Sequence, residues 1–256
     1  MNKVKSGPPA GVSIECSTAS MEKPLPVAAV DYEEHPREYT LRTVSTTVEV
    51  STRISDLYRS PMDQVKEQLT VVIEMVKERQ ENELINNENY GLLHSAVPAM
   101  KVKTRTGAPT PDDLDELISK VWKEPSFFLA HPSAIAAFGR ECTRRGVPPP
   151  TTNLFGSQFL TWRGLPIIAC DKLRVDKGAT NILLMRTGEK KRGVTGLFQP
   201  GIPGEVNPSL SVRFMSINQK GAAGYLVSLY CSAAVLVDDA LGVLENVIVD
   251  KYHQYQ

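Results

Sequence analysis

The chain has 256 residues, and its 29 lysines and arginines balance its 29 aspartates and glutamates, so the formal net charge is zero. A protein that binds nucleic acid through its charge usually has a basic excess, so this balance argues against that class. Hydrophobic residues make up 41% of the chain, which is enough for a globular protein with a substantial core. The most apolar run, residues 225–237, is shorter than the roughly 20 residues of a membrane helix. Nothing near the N-terminus resembles the apolar core of a signal peptide.

The first distinctive element is a long β-ribbon at residues 39–54, which follows a stretch at 1–30 that reads as loop or extended arm. Nine of the sixteen ribbon residues are β-branched, and neither glycine nor proline interrupts them. Fully extended, the ribbon would reach about 50 Å, whereas a compact globule of this length is about 46 Å across. We therefore expect the ribbon to project and to bury its apolar side against another subunit. The alternative is a strand bent by a bulge inside one sheet.

The two sides of the ribbon differ in polarity, which would fix its register against a neighbouring copy. A slip of one residue would expose the apolar row, and charged side chains at the rim would add directional ion pairs. The predicted inter-subunit contacts are Tyr39, Leu41, Val44, Val48, Val50 and Ile54, with Arg42, Glu49 and Arg53 as the charged members.

Three helices are predicted from their caps and their apolar spacing. The first, at residues 60–86, begins with a serine N-cap and a proline suited to the first turn. Its single apolar stripe predicts a beam of about 38 Å that lies over a sheet with one face in water. The second begins at Thr110 by the same logic and is stopped by Pro125, and the third covers residues 132–146.

Short strands dominate the chain after the triproline break at residues 148–150. Arg163-Gly164 is a turn signal between two of them. A ribbon, then helices, then many strands is an α+β pattern rather than an alternating βαβ pattern. The predicted strands are 126–130 before the break and 158–162, 165–170, 181–186, 194–199, 209–217, 225–237 and 241–249 after it.

No catalytic, cofactor-binding or metal-binding constellation emerges from the sequence. The four histidines and four cysteines are scattered, and the cysteines are expected to be free thiols in a reducing cytosol, with Cys142 in the core. The acidic residues at 112–116 open a helix, where they favour its dipole without any acid–base role. We expect His131 to make a structural polar contact, and Trp122 and Trp162 to lie in the core.

Five segments of the chain carry a resemblance to a known family. They are similar to the shell proteins of family 2, A-type, encapsulins, and the likeness extends over about residues 31–256. Part of the fourth segment also resembles a strand motif of phage capsid proteins. The segments are PREYTLRTVSTTVEVSTRISDLY, KERQENELINNENYGLL, GAPTPDDLDELISKVWKEPSFFLAHPSAIAAFGRE, FLTWRGLPIIACDK and GVTGLFQPGIPGE with LSVRFMSINQ.

This resemblance implies the α+β major-capsid fold of tailed phages. That fold has an extended β-hairpin arm (the E-loop), a long spine helix, a peripheral domain and an axial domain. The implied division is an N-terminal segment and arm at 1–58, the spine helix and peripheral-domain helices at 59–145, and axial-domain strands that return to the peripheral sheet at 146–256. Family members carry a longer N-terminal arm, so this chain is expected to begin within the exit of that arm.

The function implied by the resemblance is a non-enzymatic shell subunit that self-assembles into an icosahedral nanocompartment in a prokaryotic cytoplasm. It implies no cofactor, nucleic acid or membrane. The implied cargo is a pyridoxal-phosphate cysteine desulfurase of sulfur metabolism, held through its disordered terminus. The alternatives are a tailed-phage or prophage capsid protein, an enzyme or nucleotide-binding protein of sulfur metabolism, and a peripheral membrane protein. The neutral charge and the lack of a basic amphipathic helix argue against the last of these.

Two loops are candidates to rim pores of such a shell, because a closed assembly places loops at its symmetry axes. One is the triproline turn and the other is the basic loop at 188–193, for which a solvated turn is the simpler interpretation. The candidate rim residues are Pro149, Pro150, Thr151, Lys190, Lys191 and Arg192.

Overall fold

The computed structural model describes residues 38–50, 64–154, 156–219 and 221–252. The predicted loop at 1–30 and the connection between the ribbon and the first helix lie outside these ranges. The helices in them are α1 Gln64–Asn86, α2 Leu92–Ser95, α3 Pro111–Lys120 and α4 Pro132–Arg144. The strands are β1 Arg42–Val50, β2 Lys101–Lys103, β3 Phe127–Ala130, β4 Thr151–Leu154, β5 Ser157–Trp162, β6 Leu165–Ala169, β7 Ala179–Met185, β8 Val194–Phe198, β9 Glu205–Asn207, β10 Leu210–Ile217, β11 Ala223–Val235 and β12 Leu241–Ile248.

One antiparallel sheet is built around β11, whose thirteen residues pair with three strands. The strand order is β1-β11-β10-β9, and β8 pairs with the C-terminal part of β11. Strand β1 pairs in register from Arg42 opposite Cys231 to Val50 opposite Ala223. Helix α1 packs on one face of this sheet, with Val72, Ile73 and Val76 against side chains of β1, β10 and β11. The long helix therefore lies over a sheet, as its stripe predicts.

The second sheet has seven strands in the order β2-β12-β7-β3-β6-β5-β4. Helices α3 and α4 cover one face, where Leu114, Leu117 and Phe138 join the core of this sheet. Its other face packs against α2 and the end of α1, and the same core includes Val235 from β11. This shared core connects the two sheets within the compact unit Leu41–Gln256.

The packing of α3 and α4 bears on the implied division of the chain at residue 145. Both helices share their core with Trp162, Ile182 and Leu244, which come from strands after that residue. The seven-stranded sheet also draws strands from both sides of residue 145, since it contains β2 and β3. The division into 1–58, 59–145 and 146–256 stays a prediction.

The predicted starts of the second and third helices are confirmed by their hydrogen bonds, and the serine cap predicted at residue 60 lies outside the described residues. Thr110 caps α3, because its hydroxyl accepts from the Asp113 backbone N–H at 3.2 Å while the Asp113 carboxylate accepts from the Thr110 N–H at 3.0 Å. His131 caps α4, where its Nδ1 accepts from the Ser133 N–H at 3.1 Å. Cys142 on α4 is fully buried, as predicted.

The two tryptophans, both predicted to lie in the core, differ in the structure. Trp162 is 5% exposed and makes an edge-to-face contact with Phe138, with the ring centroids 5.5 Å apart. Trp122 is 67% exposed, so its prediction was wrong. Helix α3 ends at Lys120, and Val121 has left the helical conformation. Trp122 therefore does not continue the apolar stripe of the helix.

Candidate assembly surfaces

The described part of the ribbon is a strand at the edge of its sheet. Val44 and Val50 are only 6% and 1% exposed, and Val48 packs against the core that α1 forms with the sheet. The expectation that the apolar side of the ribbon waits for another subunit is therefore wrong for Arg42–Val50. The physical reason is that pairing with β11 lays this side on α1 of the same chain. The side chains left exposed are Arg42, Thr43, Ser45, Thr47 and Glu49.

The charged residues of the ribbon also have partners inside the chain. The guanidinium of Arg42 lies 6.0 Å from the centroid of the Tyr90 ring. Asn218 donates from Nδ2 to Oε2 of Glu49 at 3.3 Å. Tyr39 and Leu41 precede β1, and Arg53 and Ile54 lie outside the described residues. An inter-subunit role for these residues stays a prediction.

The hairpin of β10 and β11 ends in an apolar surface that the sequence did not single out. Phe214, Met215 and Ile217 are between 55% and 65% exposed near the end of β10. Phe214 makes an edge-to-face contact with Tyr225 of β11, with the centroids 5.8 Å apart. The only sequence signal was two adjacent apolar residues in a strand that otherwise alternates. Together with the edge of β1, which has no partner among the described strands, this end of the sheet presents both free backbone and apolar side chains.

The two predicted pore loops belong to different connections, one between α4 and β4 and the other between β7 and β8. In the triproline turn the Pro150 carbonyl accepts from the Thr161 N–H at 2.8 Å, while Pro150 and Thr151 are exposed and Pro149 is half-buried. In the connection between β7 and β8, Lys190, Lys191 and Arg192 are exposed. No hydrogen bond or ion pair joins the two loops in the part of the chain that the structure describes. Their pore-rim role stays a prediction.

A turn after α3 joins the basic loop through an ion pair. Lys191 Nζ lies 2.9 Å from Oε2 of Glu124, and the hydrogen bond from Lys191 lowers the pKa of Glu124. The neighbouring Lys123 pairs with Asp239 at 3.0 Å. This turn also carries the exposed Trp122.

The side chain of a buried arginine binds this turn from the interior of the protein. Arg186 is 3% exposed and donates from Nη2 to Oδ1 of Asp239 at 2.6 Å and from Nη1 to the Lys123 carbonyl at 3.1 Å. Burial alone would raise the pKa of Asp239, but the hydrogen bonds from Arg186 and Lys123 hold that pKa below its usual value. The carboxylate therefore stays charged and ties the turn to the segment before β12.

The first turn of α3 supports structure rather than acid–base chemistry. Asp115 accepts from Trp162 Nε1 at 2.7 Å and from Arg163 Nε and Nη2 at 3.1 and 2.8 Å. These bonds tie the helix to the turn between β5 and β6, where Arg163 and Gly164 both have positive φ. Among the described residues no group of three or more His, Cys, Asp and Glu side chains is placed to hold a metal ion. No helix in the same ranges is long and apolar enough to cross a membrane.

Comparison with known proteins finds a family model and a relative that match nearly all of this chain. A family model described as "Type 2A encapsulin shell protein SrpI-like" matches residues 4–251. The type 2A encapsulin shell protein SrpI of Synechococcus elongatus is 60% identical over all of this chain and 83% of its own length.

Two solved structures resemble the chain in three dimensions. The holo-SrpI encapsulin complex from Synechococcus elongatus superposes with a TM-score of 0.86 and 64% identity, over 89% of this chain and 81% of that one. The capsid of a native GTA particle superposes with a TM-score of 0.58 over 96% of this chain and 83% of that one. At 14% identity the second likeness shows the fold alone. The predicted α+β capsid-like fold is confirmed.

Proposed function

We propose that this chain, which belongs to the SrpI-like family of type 2A encapsulin shell proteins, assembles with copies of itself into a closed icosahedral compartment around a cargo enzyme. The family resemblance predicted from the sequence is confirmed, and with it a structural role in a capsid-like compartment. The observation that carries the proposal is the family match across residues 4–251, joined to a TM-score of 0.86 with an encapsulin shell. The icosahedral closure and the cargo are the parts proposed here.

The edge of β1 supplies one contact for such assembly. Its nine residues extend about 30 Å, and among the described strands they pair only with β11, on one side. An unpaired strand edge is a template for a second chain, and most proteins cover it. Because Val44 and Val50 are buried within the subunit, a neighbouring copy would meet the exposed side and edge of the strand.

Assembly itself is tested by light scattering and electron micrographs of the purified protein. We expect uniform closed particles many times the 28.2 kDa mass of the chain. A monomer at high protein concentration would contradict the proposal. Copurified portal or terminase proteins encoded beside the gene would favour a phage capsid instead.

The role of the ribbon is tested by two substitutions that separate assembly from folding. Ser45→Arg places a bulky charge on the exposed side of β1, opposite Ser228 of β11, and should block assembly while the subunit stays folded. Val44→Ala removes buried atoms and should destabilise the subunit by about 2 kcal/mol without changing the exposed surface. A charge at Val48 would not separate the two effects, because Val48 packs on the core of its own chain.

Circular dichroism and light scattering together decide between the outcomes. Folded Ser45→Arg protein that still forms normal particles would remove β1 from the contact. The Val44→Ala protein should form particles under conditions in which it remains folded, so it serves as the matched control.

The proposed cargo is a pyridoxal-phosphate cysteine desulfurase of the cytoplasm, which would place the compartment in sulfur metabolism. Its support is the family resemblance, since no described residue of this chain specifies a cargo. Coexpression with such an enzyme, carrying its disordered terminus, should give particles with cofactor absorbance. The same enzyme without that terminus should be left outside. Equal loading of both forms would contradict the proposal.

The pore-rim proposal keeps the two loops as candidates. Exposure of Pro150, Thr151 and the basic residues of the second loop supports it. Charge reversal at Lys190 and Arg192 should change the passage of small anions into particles if that loop rims a pore. Lys191 is less suited to this test, because its ammonium group already pairs with Glu124.

A further inference from the structure

We infer that Trp122 anchors a contact between neighbouring copies of this chain, presented on a turn that the fold holds in place. The inference rests on the proposed shell function and names a surface distinct from the edge of β1. The surface consists of the turn Trp122–Lys123–Glu124 and the loop at residues 188–193, and we refer to it as the tryptophan turn surface.

The exposure of Trp122 is costly for an isolated subunit. The indole is 67% exposed at the end of α3, and the Lys123 Nζ that lies 5.4 Å from its ring centroid belongs to a side chain that is itself 54% exposed. The other tryptophan, Trp162, is only 5% exposed, so the same fold buries one indole and leaves the other in solvent. Tryptophan is among the residues most enriched at the energetic centre of protein interfaces, because its large apolar area is ordered at little entropic cost.

The turn that carries Trp122 is built to stay in one conformation. Glu124 has a left-handed backbone with φ of 55°, which a non-glycine residue adopts only when its surroundings impose it. Arg186 supplies that constraint from inside the protein through the Lys123 carbonyl, and Lys123 is also tied to Asp239. The stability of the core alone does not explain why a buried arginine binds the backbone of an exposed turn.

The loop at 188–193 adds a second rigid part to the surface. Arg192 also has a left-handed backbone, with φ of 50°, and the loop is closed by a hydrogen bond from the Gly193 N–H to the Gly188 carbonyl at 2.9 Å. The ion pair between Lys191 and Glu124 links the loop to the turn at the protein surface. Glu124, one partner of this ion pair, and Arg192, which follows the other partner, therefore both have left-handed backbones that the surrounding structure must maintain.

The charges of this surface favour another copy of the chain as the partner. Lys123, Lys190, Lys191 and Arg192 are basic, and Glu124, Glu189, Asp238 and Asp239 are acidic, in the turn, the loop and the adjoining segment before β12. A balanced mixture of signs does not suit nucleic acid or an anionic membrane, which select basic patches. It does suit a second mixed surface, and every copy in a closed shell carries the same one.

Fluorescence quenching by acrylamide tests the inference directly, since the chain has two tryptophans. In assembled particles of Trp162→Phe, the emission comes from Trp122 alone. We expect its quenching constant to fall at least about threefold below that of N-acetyltryptophanamide, because an interface core excludes solvent. The matched control is Trp122→Phe, whose remaining indole is already 5% exposed in the single chain and should be shielded whether or not copies assemble.

The outcomes separate this inference from the function on which it rests. Particles in which the quenching constant of Trp122 falls less than about threefold below that of N-acetyltryptophanamide overturn the inference alone, because the indole then stays open to solvent as in the single chain. Absence of particles from the unsubstituted protein overturns the shell function and the inference with it. In a second measurement Trp122→Ala should weaken association of folded subunits by about 30-fold or more, and unchanged association would also overturn the inference.

Discussion

Replacing Asp113 by alanine is expected to destabilise the folded subunit, because the buried carboxylate satisfies several donors at the start of α3. Asp113 is fully buried and Thr110 is 1% exposed. The carboxylate accepts from the Thr110 N–H at 3.0 Å, from the Thr110 hydroxyl at 2.7 Å and from Arg105 Nη1 at 3.0 Å. It also accepts from the Arg105 backbone N–H at 3.3 Å, so alanine at this position leaves four donors without this acceptor.

The size of the expected loss of stability depends on which of these donors water can reach after the substitution. Loss of one side of a helix cap costs about 1 kcal/mol. Each buried donor left unsatisfied costs roughly 1–3 kcal/mol, and the N–H and hydroxyl of Thr110 are both buried. Arg105 is half-exposed and can turn to solvent, so it adds little. Taking the low end of the range for each Thr110 donor gives a total of about 3 kcal/mol, or a melting temperature lower by about 6–12 °C in a chain of this size.

Asp112→Ala is the matched control, because it removes the same charge from the same helical turn. The Asp112 side chain is 71% exposed and forms an ion pair with Arg145 at 3.7 Å. We expect it to cost no more than about 0.5 kcal/mol. Urea unfolding of the three proteins at one concentration, followed by tryptophan fluorescence and circular dichroism, gives the comparison. Equal losses for the two variants would show that the acidic turn acts through the helix dipole and not through the buried network.

Two further predictions concern titratable groups. Hydrogen bonds from Arg163 and Trp162 hold the pKa of Asp115 below its usual value, so its contribution to stability is complete above the unfolded pKa of about 3.9 and is lost as the pH falls through the folded pKa. The stability gap between the unsubstituted protein and Asp115→Asn should therefore be constant above about pH 5 and close below about pH 4, and urea titrations in which the gap instead widened in acid would contradict the assignment. Burial raises the pKa of the Cys142 thiol to about 11. Iodoacetamide near neutral pH should therefore modify Cys142 only after denaturation, as mapped by mass spectrometry. Rapid labelling of the native protein would exclude the buried position.

Local structure was predictable where neighbouring residues determine it. The cap at Thr110 and the proline that follows it place the start of α3 correctly, because the capping box needs only residues three apart. The turn at Arg163-Gly164 is likewise set by two adjacent residues and joins β5 to β6. The seven strands predicted after the triproline break lie within one or two residues of their predicted positions, since each is bounded by glycine, proline or polar turn residues. The short strands β4 and β9 were not predicted, because they lie in segments whose prolines and glycines indicate turns.

Two predictions failed where the outcome depends on distant residues or on a helix end. Val44 is buried because β1 pairs with β11, almost two hundred positions later, and no local pattern specifies that partner. Trp122 stands at helical spacing from Ile118, yet α3 ends two residues before it. The sequence around the exposed Phe214 and Ile217 has the pattern of an ordinary strand. Their exposure depends on whether another element covers them, which the local sequence does not reveal.

The burial of Val44 and Val50 within the subunit changes how assembly should proceed. A ribbon whose apolar side needed a neighbour would couple folding to assembly, so that isolated subunits would be unstable. In this structure α1 completes the core of the sheet, and the surfaces left for contact are strand edge, hairpin tip and the tryptophan turn surface. Folded subunits that associate through preformed surfaces lose little conformational entropy. Substitutions in the core should therefore change subunit stability, and substitutions on these surfaces should change assembly alone.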